Sequence, residues 1–196
     1  MVKPLRILSI CGSAREGSWN QRLLNQAIAE AKHLGALVTT VELRSLNLPI
    51  YDEGLESDDL PCGAVSFRES LRAHDCLLIA TPEYNASVPP LLKNALDWSS
   101  RPVDGRNGLE PWFGKVCAIM SASQGGFGGI RATQHLRDIL TKMGALTIPQ
   151  EVNVSHAQHV LPGTMPGEDT IQRLIKVQLN ELIQTSGLLS TNANVL

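Results

Sequence analysis

Three short segments of this chain gather the residue types that chemistry needs. The first, Gly12-Ser13-Ala14-Arg15-Glu16-Gly17-Ser18-Trp19-Asn20, places hydroxyls, an amide and one guanidinium where a helix begins. A helix N-terminus offers unsatisfied N–H groups at the positive end of its dipole. With Ser13, Ser18, Asn20 and the Arg15 fork around it, such a site suits a phosphate dianion. The same residues also make an ordinary capped helix start beside a solvated arginine. Two better-known phosphate loops are excluded: no Gly-Lys-Ser/Thr follows, and glycines at 12 and 17 do not make GxGxxG.

The second segment is Pro82-Glu83-Tyr84-Asn85-Ala86-Ser87-Val88-Pro89, an aromatic face joined to a turn rich in backbone donors. That combination fits a flat heteroaromatic ring, or else Tyr84 merely covers the end of a sheet. The third is Ser121-Ala122-Ser123-Gln124-Gly125-Gly126-Phe127-Gly128-Gly129, whose four glycines permit close backbone approach to a ligand or make a flexible turn. Other groups carry less. His156 and His159 form an HxxH without the Glu-x-x-His or cysteine partners a metal site needs. Trp19, Trp98 and Trp112 each suit core, ligand cover or a subunit contact. No CxxC occurs, and Cys11, Cys76 and Cys117 lie in apolar runs that predict buried free thiols.

The elements that must position these segments alternate between short apolar runs and amphipathic stretches, the pattern of βα units on a parallel sheet. Strands are expected at 5–11, 38–43, 76–80, 115–120 and 146–148. Helices are expected at about 20–34, 64–73, 89–98, 130–143 and 169–185, with Gly35 and Gly144 as stops and Pro89-Pro90 in a first turn. Residues 47–61 and 155–168 read as surface loops, and the tail from 186 to 196 as fraying. In a sheet ordered 2-1-3-4-5, the loops after strands one, three and four flank the point where strand order reverses. Ligands bind there in open parallel sheets.

The 196 residues fit a single domain, with no repeat or linker, and are 43% hydrophobic and 18% charged, which is a globular composition. Net charge is −2. This balance supports neither nucleic-acid binding nor a polybasic membrane patch. No run of 18 apolar residues and no secretory pattern is present, so neither membrane insertion nor export is expected and a cytoplasmic location is.

The three segments, in this order and at these distances, resemble the NADPH-dependent FMN reductase family of flavodoxin-like proteins, in particular its quinone and chromate reductase branch. "GSAREGSWN" resembles the family's phosphate loop, "PEYNASVPPLLKNALDW" its isoalloxazine loop and following helix, and "SASQGGFGGIRATQHLRDIL" its third loop. The likeness covers most of residues 5–150. It implies a three-layer α/β sandwich around a five-stranded parallel sheet. It also implies FMN with its phosphate on Ser13, Arg15, Ser18 and Asn20, where Trp19 stands beside them. The ring would be bordered by Pro82, Glu83, Tyr84 and Asn85, and the backbone from Ser121 through Ser123 to Gly125 would complete the site. NADPH or NADH is the implied co-substrate, and a quinone, free flavin or similar small molecule the acceptor. A homodimer or homotetramer is implied too, with the 89–98 helix near the contact. The cofactor carries the chemistry, so no essential side-chain acid or base is expected. With Arg15 taken by FMN, Arg101, Arg106 and Arg131 are the arginines considered for a nucleotide 2′-phosphate. An FMN-binding electron carrier or flavin-storing module is the rival reading. A charge of −2 lacks the acidic docking surface a carrier gains from.

Overall fold

A computed structural model describes residues 4–56, 60–103, 105–161 and 168–192. The strands are β1 (Arg6–Cys11), β2 (Leu37–Val41), β3 (Cys76–Ala80), β4 (Val116–Ala122), β5 (Leu146–Thr147) and β6 (Val152–Val154). The helices are α1 (Trp19–His33), α2 (Cys62–Ala73), α3 (Pro90–Ser99), α4 (Ile130–Lys142), α5 (Ala157–Val160) and α6 (Glu168–Asn192). All pairings are parallel in the order β2-β1-β3-β4-β5, with β6 also on β4.

Alternation along the central strands builds two cores. Ile7, Leu78, Ala118 and Met120 face α1 and α6, meeting Leu23, Leu24, Ala27, Ile175 and Leu179. Leu8, Ile10, Leu77, Ile79 and Ile119 face the other way, onto Phe67, Leu71, Leu92, Leu96, Leu136 and Leu140 of α2, α3 and α4. Each fully buried Leu or Ile is worth about 1.5–3 kcal/mol against exposure. This three-layer arrangement fixes the three loops on the carboxyl edge of β1, β3 and β4.

The differences from the sequence reading lie at the far edge and the C-terminal end. The fifth strand is split: the chain advances from Thr147 to Val152 while β4 advances only from Cys117 to Met120. Pro149 stands in this bulge and has no N–H to give a ladder. The buried side chain of Gln178 fills the gap, its Nε2 donating to Ile119 O at 2.8 Å and Gln150 O at 3.0 Å. Residues 43–46, partly read as strand, form a short 3-10 turn. The 155–168 loop begins with α5, and residues 162–167 lie outside the described ones. Helix α6 continues past Thr185 to Asn192, because Leu179, Leu182 and Ser186 keep one buried stripe. Gly187 within it costs only about 1 kcal/mol.

Candidate functional site

The three segments meet in a cleft of about 400 Å³, lined by Ser13, Arg15, Ser18, Trp19, Asn20, Pro82, Glu83, Tyr84, Ala122, Ser123 and Gln124. In the first loop, Gly12 N–H donates to Ala80 O at 2.8 Å, continuing the ladder past the end of β1. A Cβ on Gly12 would stand 3.2–3.3 Å from Thr81, Leu92 and Pro89, so the absent side chain lets the first loop close on the second. The chain then turns through Gly17, at φ +69°, with Ser18 N–H on Arg15 O at 3.1 Å. Ser18 caps α1, its Oγ accepting from Gln21 N–H at 3.4 Å. The backbone N–H groups of Ala14, Glu16, Gly17, Trp19 and Asn20 have no acceptor among the described residues, while that of Ser13 turns back to the Cys11 thiol. The Arg15 guanidinium is exposed and makes no ion pair among them. A nest of idle donors beside an unpaired cation is what a phosphate requires.

Asn20 lies in the cleft wall, but its amide is already engaged. Nδ2 donates to Ala122 O at 2.9 Å, and Ala122 N–H donates to Oδ1 at 2.9 Å. It ties the start of α1 to the end of β4, leaving its own N–H to the nest. Trp19 is half-buried against the core, and the Arg22 guanidinium stacks on its ring at 4.7 Å. Trp98 and Trp112 are core residues, both fully buried.

In the second loop, Tyr84 and Ser87 exchange backbone hydrogen bonds of 2.9 and 3.0 Å around a tight turn. Asn85 and Ala86 at its tip have φ of +50° and +64°. Positive φ at both central positions marks a type I′ turn, and a non-glycine there is held at a cost by the structure around it. Tyr84 is 48% exposed and lines the cleft, whereas Asn85 stands at the turn tip outside the lining. Glu83 lines the cleft and is also bound across to the next loop. Its carboxylate accepts from Arg131 Nε at 2.8 Å and from Arg131 N–H at 3.2 Å, and pairs with Nη2. It thereby satisfies a donor in the first turn of α4 and straps the second loop to the third.

The third loop starts two residues later than the sequence suggests. Ser121 and Ala122 belong to β4 and pair with Asn153 and Val154. Ser121 is therefore fully buried, its Oγ against Gly129 and without a hydrogen-bond partner, so it does not reach the cleft. Ala122, Ser123 and Gln124 line it instead. Gly125 lies just behind, its N–H on Ser123 Oγ at 3.1 Å and its O accepting from His156 N–H at 3.2 Å. Among the described residues no cluster can hold a metal ion, His156 and His159 included. The thiol of Cys11, behind the first loop, is pushed up by burial and stays protonated.

A model of the NADPH-dependent FMN reductase family matches residues 5–159. The chain belongs to that family. It is 38% identical over 186 residues to an NAD(P)H-dependent FMN reductase of Pseudomonas aeruginosa, spanning 94% of this chain and 92% of the relative. An NAD(P)H:quinone oxidoreductase of Solanum tuberosum is 35% identical, spanning 89% and 90%. Among solved structures, a flavoenzyme NAD(P)H:(acceptor) oxidoreductase of Paracoccus denitrificans superposes with a TM-score of 0.76 at 26% identity, covering 92% of this chain and 98% of that one. The flavodoxin-like architecture expected from the three loops is thus found in both the sheet order and its structural neighbour.

Proposed function

We propose that this member of the NADPH-dependent FMN reductase family holds FMN in the three-loop cleft and passes electrons from NAD(P)H to quinones, free flavin or similar small acceptors. The observation that carries this reading is the pairing of idle donors around Arg15 with the exposed Tyr84 face in one cleft. The chemistry supplied by bound FMN would be hydride uptake from the nicotinamide and two-electron return to the acceptor. The chain's own part is to bind and orient. Five idle N–H groups and Arg15 would take the phosphate, while Tyr84 and the turn at Asn85 would border the ring. The backbone of Ser123 and Gln124 closes the other side. The cleft's carboxylate, Glu83, is paired with Arg131.

In this reading the protein works in the cytoplasm as a homodimer or homotetramer. No described helix is long and apolar enough to cross a membrane. The test is anaerobic mixing of FMN-loaded protein with NADH or NADPH. Bleaching of the bound flavin without a partner protein, and parallel double-reciprocal lines with a quinone, are expected. A flavin that stays oxidised under excess of both nucleotides, yet is reduced at once by dithionite, would establish the carrier instead. Light scattering of the eluting protein reads the oligomer.

A further inference from the structure

We infer that a second cleft, beside the flavin cleft, seats the adenosine end of NADPH, with Arg44 meeting the 2′-phosphate. This rests on the nicotinamide-dependent activity proposed above. The cleft measures about 510 Å³ and shares Arg15 and Tyr84 with the first, so one elongated ligand can run from the ring site into it. Its wall continues over Pro90 and Leu91 above buried Pro89, apolar surface on which a purine can lie. Arg44 completes it.

Three observations single out Arg44. It stands on the rigid 3-10 turn after β2, held down by buried Leu43 and closed by Asn47, whose N–H reaches Arg44 O at 3.2 Å. Its guanidinium is exposed and makes no hydrogen bond or ion pair among the described residues. No carboxylate lines this cleft. Glu16 and Glu42 line a neighbouring recess that Arg44 also borders, and Glu42 there accepts from Ser45 Oγ at 2.9 Å. The arginines that sequence alone put forward fit less well. Arg131 is spent on Glu83, Arg101 stacks on Tyr51 near Glu56, and Arg106 lines neither cleft. Once the cofactor's phosphate engages Arg15, Arg44 is the cation left facing this space. A guanidinium fork is the usual partner of a phosphate monoester.

The experiment uses FMN-loaded wild-type protein and R44A, with 2′,5′-ADP and 5′-AMP as binding probes and both dinucleotides as substrates. Wild type is expected to bind 2′,5′-ADP more tightly than 5′-AMP, and R44A to lose that difference. The ratio of kcat/KM for NADPH to that for NADH should fall about tenfold in R44A, the scale of one charge-assisted contact. The affinity for FMN should stay that of wild type. Equal binding of the two probes to wild type, or a wild-type NADPH/NADH ratio in R44A, overturns the assignment. An equal fall for both dinucleotides would place Arg44 on the pyrophosphate and also overturns it. Wild-type protein that binds 2′,5′-ADP through Arg44 but is reduced by neither dinucleotide would sink the enzyme reading and leave the nucleotide cleft standing.

Discussion

Gly129 joins the third loop to α4, and replacing it by alanine tests how tightly that corner is built. Its φ is +82°, where a Cβ costs about 1–2 kcal/mol. The added methyl would also stand 1.9 Å from Ser121 Oγ and 2.8 Å from Ser121 Cβ. Serine has no longer arm to swing away, so the overlap must be relieved by backbone movement, at about 1–3 kcal/mol. Gly129→Ala should therefore lose roughly 2–5 kcal/mol, a large share of the about 5–15 kcal/mol a domain possesses. Urea unfolding reads this as a lower midpoint at unchanged slope. The two causes separate in a cycle with Ser121→Gly, which itself costs about 0.5–1 kcal/mol in a strand. The double variant should recover the overlap part, a coupling of about 1–3 kcal/mol, and keep the φ part. Ser121→Ala should rescue part of the overlap, removing the 1.9 Å contact with Oγ and leaving the 2.8 Å contact with Cβ. A Gly129→Ala loss below about 1 kcal/mol, or no coupling to Ser121→Gly, would refute this account of the corner.

Three further outcomes are expected. Arg15→Ala should weaken FMN binding by about 1.5–3 kcal/mol in a fluorescence titration, with the urea midpoint of the flavin-free protein unchanged because the side chain is exposed and unpaired. In a timed alkylation at pH 8, Cys62 should react first in the native protein and all four cysteines only in denaturant. Cys62 is exposed, while burial pushes the Cys76 thiol up to about 12 and the fully buried Cys117 higher still. The hydrogen bond from Arg72 holds the Glu110 carboxyl below its ordinary value, so its contribution is present at neutral pH and lost as pH falls through the depressed folded value. Glu110→Gln should therefore cost at most about 0.5 kcal/mol near pH 7, the pair being half-exposed, and the difference should vanish in urea curves taken in acid.

What the sequence makes legible is whatever is local. Apolar runs and glycine stops place β3 at Cys76–Ala80 and α4 from Ile130, and the order of the loops gives the sheet order. The cleft itself is legible because each loop follows a strand end, and Arg15 and Tyr84 stand there as expected. What is not legible depends on pairings across the chain. That Glu83 also binds Arg131, far along the sequence, could not be read from its own segment. Nor could it be read there that the Asn20 amide is tied at both ends to Ala122, leaving only its backbone N–H for a phosphate. Ser121 is small and polar and so reads as loop, yet pairing with Asn153 draws it into the strand and under the glycines. Arg44 carries no motif at all. Its place beside the cleft follows from the turn after β2 and from Leu43 beneath it.

The divided edge of the sheet bears on the protein's behaviour at high concentration. An uninterrupted outer strand is a template on which another chain can add, the first step toward aggregated cross-β material. Here the far side offers only the two residues of β5 and the three of β6, displaced from one another by the bulge at Pro149. Gln178 has already claimed the carbonyls of Ile119 and Gln150 in the gap. An incoming strand would find no register that suits both pieces. The burden of aggregation resistance shifts to β2 at the opposite side, where Leu37 is 57% exposed and five consecutive residues lie along the margin. A lysine at position 37 would guard that margin without touching the flavin cleft.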